Sequence, residues 1–469
     1  MATRRWMVVV VAAGLGLGGW LACRSDATIG NPLVDTGPEA APDLARPDAG
    51  PKPITQWVAH AGGTTADAAR AIALDGSGNI LVAGSFSGTA RFGATLLTAA
   101  HTHENFVAKL DPDGNFLWAI AAGGTWQKWG QAVAVDGAGN VYLAVPFAGT
   151  ASLGSATFLA GEANDLLVAK LDPNGSLVWA RFGGSGNWLG YALGIAVSGA
   201  GASTITGHFD GVLEIEGVRL TARGVGQHGG DVFVASFDAA GVLRWAVSGG
   251  GEQFDAGHAV ILDHAGNSTI AGVVTGKARF DATELDTGAT DAMDCFVARL
   301  DPLGSFLGAI QLNFVGAHCR AIAAGGADLF VAGAAGGGAF ATALDAALAQ
   351  RWTAAPTLPD NQGIFNGVAL DPLGSTVVAG RFARTYALGP TMLTSQGQGD
   401  ILVARLDAAG RFTGGIAAGG LGEDSGNAVA TDAAGNVHLA GSFSSTAQFA
   451  ATWVTSAGSS DAFVWKLRP

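Results

Sequence analysis

The side chains that could carry chemistry are few and scattered. His101-Thr102-His103-Glu104 sets two imidazoles on alternate positions beside a carboxylate, the beginning of a zinc or copper site. A closed site needs three or four ligands, and no second cluster has ligand spacing. These histidines therefore read as loop residues, and neither a metal nor a cofactor is expected. Asp111-Pro112-Asp113-Gly114 and Asp172-Pro173-Asn174-Gly175 imitate the opening of a calcium loop but leave its later acidic positions unfilled. They read as turns, with Pro presetting φ and Gly supplying the positive φ that closes a hairpin. No Ser, His and carboxylate can be assigned as a triad, so no catalytic set is named. Cys295 and Cys319 begin two strands on one face. A disulfide between them fits an oxidising compartment, and buried free thiols are the favoured reading.

A second set recurs with a period. Arg70, Gln131, Leu193, His258, Arg320, Asn366 and Asn427 hold one repeated position, and all but Leu193 are polar. A position that only packed would repeat an apolar residue, so these side chains are expected to be exposed around one mouth of a central channel. The loops before them carry Trp126, Lys128, Trp129, Trp188, Tyr191 and Phe254, aromatic faces suited to sugars, peptides or protein partners. Guanidinium donors at Arg70 and Arg320 favour an anionic or hydroxyl-rich ligand. A further ring, Glu104, Asp165, Asp231, Asp294, Asp400 and Asp461, stands two residues before a recurring strand. Its regularity points to carboxylates that accept backbone N–H bonds.

The elements that position these residues repeat as well. Phe106–Leu110 (FVAKL), Leu167–Leu171, Phe233–Phe237, Phe296–Leu300, Leu402–Leu406 and Phe463–Leu467 are one strand, with a degenerate seventh copy at Phe340–Leu344. The aspartates that follow, at 111, 172, 238, 301, 345 and 407, are spaced by 61, 66, 63, 44 and 62 residues. The short interval marks a unit that lacks the excursion typified by Gly88 to Phe92 and Gly276 to Phe280, which predicts a smaller blade. Each unit reads as four short strands of alternating apolar residues joined by Asp, Pro, Asn and Gly turns. Seven such units predict an all-β, seven-bladed β-propeller of four-stranded antiparallel blades over residues 54–469. The segment around Trp57 matches the fourth strands around Trp118, Trp179, Trp245 and Trp352, while the chain ends in a third strand. The N-terminal strand is thus expected to complete the last blade. The tryptophans are expected to pack between blades, and two units replace them with Gly308 and Gly414.

The first residues read as an address. Arg4 and Arg5 precede an apolar run from Met7 to Leu21 that is too short to span a bilayer as a helix, so residues 1–22 are expected to be a signal peptide. Trp20-Leu21-Ala22-Cys23 resembles a bacterial lipobox. The resemblance implies lipidation of Cys23, with ordinary secretion as the alternative. Residues 24–53 hold six prolines and no aromatic residue, an extended tether. Charged residues make up 13% of the chain and the formal charge is −13, which argues against a phosphate-binding basic face, so no nucleic acid is expected.

The pattern D-x-x-G-N-hydrophobic-x-x-x-G, then D-x-FVAKL-D-x-x-G and an outer strand ending in Gly-Gly, resembles the SBBP-type β-propeller repeat of bacterial secreted and surface proteins. That resemblance implies a scaffold with no fixed catalytic set. The resulting expectation is a lipid-anchored module of the cell envelope with a protein or carbohydrate ligand at one channel mouth, touching the membrane through its lipid alone. The site residues are Arg70, Gln131, His258, Arg320, Asn366, Asn427, Trp126 and Trp129. The alternatives are a lyase or glycoside hydrolase acting on polysaccharide, or an envelope-assembly scaffold.

Overall fold

Asp-x-x-Gly turns set the frame. In turn after turn the aspartate Oδ1 accepts the backbone N–H groups two and four residues on, as Asp75 does from Ser77 and Asn79 at 2.9 Å, and the chain reverses there. Between the turns, residues of alternating polarity have period two and become strands. The computed structural model describes residues 54–469 apart from 126–130, 160–164, 186–188, 225–228, 290, 291, 315, 337 and 357–361. The expected signal peptide, Cys23, the tether, Trp126, Lys128, Trp129 and Trp188 lie outside the described residues.

Every regular element described is a strand, and the strands form seven antiparallel blades. Blade 1 is Ala68–Leu74, Ile80–Phe86, Glu104–Leu110 and Phe116–Thr125, ordered from the axis outward. The innermost strands of the next five blades are Ala132–Val135, Leu189–Val197, Ala256–Leu262, His318–Gly325 and Gly363–Leu370. Blade 7 begins with Ser425–Thr431. Each innermost strand touches its counterparts in both neighbouring blades, and the seventh touches the first. Closure is as expected: Ile54–Gly63 pairs antiparallel with Asp461–Arg468 as the fourth strand of blade 7, running from Ile54 opposite Arg468 to Ala61 opposite Ala462. The core consists of apolar layers between adjacent blades, with Phe106, Phe233 and Phe296 fully buried.

The excursions between second and third strands are hairpins, and those of blades 1, 2, 3, 4 and 7 reach back to pair with the preceding blade, whereas Thr385–Leu388 and Thr391–Thr394 of blade 6 pair only with each other. Thr89–Phe92 and Thr95–Thr98 leave blade 1 and join the outer strand of blade 7, where Gly62 and Gly63 pair with Arg91 and Ala90. The hairpins of blades 4 and 7 repeat this on Gly250-Gly251 and Gly419-Gly420. The glycines are required by close approach, since a Cβ on Gly63 would lie 1.8 Å from the Thr89 carbonyl oxygen. Several blades thus have six strands where four were expected.

Tryptophans tie neighbouring blades, as the sequence implied. Trp57 donates its indole N–H to the Pro112 carbonyl, Trp118 to Pro173, Trp179 to Ala239 and Trp245 to Pro302, at 3.0–3.2 Å. Each ring lies on the turn glycine of the next blade. A Cβ on Gly241 would come within 2.7 Å of Trp179, and one on Gly410 within 2.5 Å of Trp352. The two exceptions follow from the fold. Gly414 faces blade 7, whose third and fourth strands are the chain's two ends and have no turn between them. Gly308 faces blade 5, whose turn carries Leu348 at φ 65° in place of glycine.

Cys295 of blade 4 and Cys319 of blade 5 form a disulfide, with Cα atoms 5.1 Å apart. This corrects the expectation of free thiols. The third strand of one blade and the first of the next meet across the inter-blade layer at the distance a disulfide spans.

Candidate functional site

Six of the seven repeated positions are β-bulges. The pairing register of the innermost strand skips at Arg70, Leu193, His258, Arg320, Asn366 and Asn427, and Gln131 immediately precedes its strand. A bulge re-aims one side chain, and the bonds of His258, Asn366 and Asn427 carry it across to the next blade. Expected exposure gives way to burial: Gln131 is 0% exposed, His258 4%, Asn366 5% and Asn427 7%. Arg70 and Arg320 keep part of their surface, yet their surroundings desolvate both guanidinium groups enough to lower their pKa to about 10. Polar identity at this position therefore records hydrogen bonding around the axis, not contact with bulk water.

Three of these side chains clasp the next blade in the same way. The His258 Nδ1 meets the Cys319 carbonyl at 2.7 Å, Asn366 Nδ2 donates to Gly426 at 3.0 Å, and Asn427 Nδ2 donates to Ala69 at 2.8 Å. In each case the acceptor is the residue just before the next bulge. A carbonyl oxygen only accepts, so His258 carries its proton on Nδ1 and presents a lone pair at Nε2. Gln131 instead donates to Asn105 of blade 1.

The electrostatics differ around the ring. Burial lowers the pKa of His258 to about 3, and His318, Arg320 and His208 add repulsion. His318 falls to about 4 through burial and then Arg320, and His208 falls to about 4 through burial. One sector of the propeller, on blades 3 to 5, thus gathers neutral imidazoles near a guanidinium. Phe254, from the loop before His258, packs on His208 with ring centres 4.9 Å apart.

The acidic ring is structural in the manner expected. Glu104 accepts from Ala100 N–H at 3.0 Å, Asp231 from Arg223, Asp294 from Phe314, Asp400 from Gln396, and Asp461 from Ala457. The sequence reading missed a companion set, Asp67, Asp255 and Asp424. Each binds two backbone N–H groups, Gly251 at 2.6 Å and Thr275 at 2.9 Å in the case of Asp255. Burial raises their pKa values to about 6, 7 and 6. The spacing Gly-Gly-x-x-x-Asp, at Gly62 to Asp67, Gly250 to Asp255 and Gly419 to Asp424, was the available signal. Among the described residues no group of three or more His, Cys, Asp and Glu is arranged to hold a metal ion.

No protein-family model matches the chain, and no curated protein sequence matches it. Among solved structures, the chain is similar to Sqt1 of Chaetomium thermophilum at 10% identity and a TM-score of 0.35, covering 83% of this chain and 96% of that one. It is similar to a glucose dehydrogenase at 12% identity and a TM-score of 0.34, covering 89% and 99%. A third similarity, at 11% identity and a TM-score of 0.30, is to dipeptidyl peptidase 4 of Porphyromonas gingivalis, covering 79% and 48%.

Proposed function

We propose that this chain is a non-enzymatic binding module of the SBBP-type repeat class, held at the bacterial cell envelope by a lipid on Cys23, with its ligand at one axial mouth of the propeller. One observation carries the reading. The tryptophan and acidic-ring positions hold nearly the same residue type in unit after unit, whereas the repeated position of the innermost strands holds Arg70, Gln131, His258, Arg320, Asn366 or Asn427. Side-chain identity that varies on a fixed scaffold is how a repeat fold acquires a specific surface. Trp126 and Trp129, which precede Gln131 in the sequence, complete the proposed site with faces suited to a carbohydrate or protein ligand.

The test is a glycan and peptide array probed with the purified chain, beside Arg70→Gln and Arg320→Gln, which keep hydrogen-bonding side chains in buried places. Binding that both substitutions weaken at unchanged melting temperature supports the proposal. Binding that survives both moves the protein to the scaffold reading, and turnover of an arrayed polysaccharide moves it to the enzyme reading. For the anchor, Cys23→Ala should shift the protein from the membrane fraction to the soluble fraction. Identical partitioning of variant and parent disproves lipidation.

A further inference from the structure

The outer strands of blades 3 and 6 are surrounded alike by the fold and differently by the sequence. Each is flanked by the second strand of its own hairpin, by the hairpin of the next blade, and by the residue that follows its glycine pair. Around Leu243–Gly251 of blade 3 those places hold Arg219, Glu284 and Glu252, all exposed and all charged. Around Phe412–Gly420 of blade 6 they hold Met392, Trp453 and Leu421, which are 60%, 60% and 80% exposed.

The three apolar residues lie around one strand. Gly419 pairs with Gln448 and Gln448 with Trp453, so Trp453 stands two strands, about 10 Å, from the outer strand. Leu421 directly follows Gly420, the last residue of that strand. Met392 follows Thr391, whose Oγ1 lies 3.9 Å from where a Cβ on Gly414 of the same strand would stand. Packing does not require these side chains. Glu284, the counterpart of Trp453, meets Arg279 across its hairpin at 2.7 Å, so a charged pair satisfies the fold at that position. Single exposed hydrophobics are ordinary, but three that stand in place of three charges around one strand mark a contact surface.

Charge and attachment identify what covers it. From Arg384 to Ser395 and from Ser445 to Ser456 the two hairpins carry one arginine and no carboxylate, on a chain of formal charge −13. The hairpins of blades 3 and 4 carry Glu214, Glu216, Asp281, Glu284 and Asp286 over the same lengths. Glu423, two residues beyond Leu421, is paired with Arg381 at 2.8 Å. An anionic lipid surface, which the net charge of this protein opposes, thus meets least repulsion here, and Trp is a side chain that settles at membrane interfaces. Residues 1–53 lead into Ile54–Gly63, the outer strand of blade 7, the blade whose hairpin carries Trp453. Thirty residues separate Cys23 from Ile54, at most about 100 Å of chain, so contacts too weak to hold the body alone become intramolecular once Cys23 is lipidated.

We propose that Met392, Leu421 and Trp453 are the face by which the propeller lies on a lipid bilayer, so that the lipid is not its sole membrane contact. This assignment rests on the proposed lipid at Cys23 and adds how the anchored body is oriented.

The test reconstitutes the full chain into vesicles of phosphatidylethanolamine and phosphatidylglycerol with brominated acyl chains, which quench an indole that they touch. Part of the tryptophan emission should be lost relative to unbrominated vesicles, and Trp453→Phe should remove most of that loss. Met392→Arg with Leu421→Glu installs the residues of blade 3 and keeps Trp453 as the reporter. It should melt like the parent, still float with the vesicles, and lose most of the quenching.

A parent that floats without quenching dependent on Trp453 overturns the face and leaves the anchor standing. Flotation and Trp453 quenching that persist in Cys23→Ala, and fail in the double variant, keep the face and reject the lipid. No flotation of the parent rejects both. Sedimentation of the parent as a dimer that the double variant dissolves gives the face to a second copy and overturns the bilayer contact. Should the double variant fail to fold, the comparison of parent with Trp453→Phe decides alone.

Discussion

Blades 3 and 4 meet through a tryptophan and a hairpin; blades 4 and 5 meet through neither. At the first junction Trp245 rests on Gly304 and donates to Pro302, while Lys277–Phe280 of blade 4 adds to the outer strand of blade 3 at Gly250 and Gly251. At the second, Gly308 leaves no indole, Leu348 occupies the turn, and blade 5 passes directly from Asp328–Ala335 to Gly338–Leu344. Asn313 and Phe314 stand where four other outer strands have a glycine pair, Gly250-Gly251 in blade 3 among them, and Phe314 packs on Phe340 at 4.8 Å. Among the described residues each other junction has an indole or a hairpin. The 5–6 junction keeps Trp352, and the 6–7 junction keeps the hairpin Thr446–Thr455. The 4–5 junction has the disulfide and a bond from Arg299 to the Ala346 carbonyl at 2.7 Å. A closed ring is held only if every junction is, because one open junction exposes two apolar blade faces to water. The comparison teaches that a covalent link stands where the repeated ties are missing.

The largest expected effect breaks the comparison at its covalent side. Cys295→Ala, or reduction of the native chain, should cost about 3 kcal/mol, the loop-closure value for cysteines 24 residues apart. Differential scanning calorimetry should show a melting point several degrees lower, and an unchanged one would mean that the non-covalent packing at this junction suffices. Trp118→Ala acts at a doubly tied junction, where Ala122 and Gly123 also pair with the hairpin of blade 2, so denaturant unfolding should register a loss nearer 2 kcal/mol. Gly308→Trp combined with Leu348→Gly would rebuild the missing seat. In the Cys295→Ala background the pair should recover about 1 kcal/mol, whereas Gly308→Trp alone should recover nothing, since Leu348 fills the space.

The smallest effect reports on the strapped junctions through pH. Asp67, Asp255 and Asp424 have folded pKa values of about 6, 7 and 6 against an ordinary 3.8. Between about pH 4 and 7 the folded chain therefore holds more protons than the unfolded chain, and stability falls as pH rises through that window. The melting temperature should be a few degrees higher near pH 5 than near pH 8, and Asp255→Asn should flatten the profile. A melting point that rises with pH would contradict the assignment of these carboxylates.

Much of this molecule was legible in its sequence because the relevant physics is local. Asp75 followed by Gly78 and Asn79 reverses the chain wherever it occurs, and period-two alternation makes strands of what lies between. Seven copies give the architecture, and a fourth-strand sequence at Trp57 with a third-strand ending at Leu467 gives closure. Even the short unit, read from one interval between aspartates, proved to be the small blade.

What only the tertiary structure decided depends on groups far apart in sequence coming together. Nothing local tells Thr89–Phe92 to pair with the preceding blade, because its partner, Gly62-Gly63, belongs to a strand that closes the ring from the other end of the chain. The bulge at His258 looks like an exposed polar residue until the convergence of seven strands buries it and supplies the Cys319 carbonyl as its acceptor. The disulfide likewise needs a distance of 5.1 Å between residues of two different blades. Sequence pattern determines what each unit becomes, because dihedral preference and alternation act within a few residues. Burial, pairing partners and charge surroundings are set by neighbours in space, and those exist only once the circle is closed.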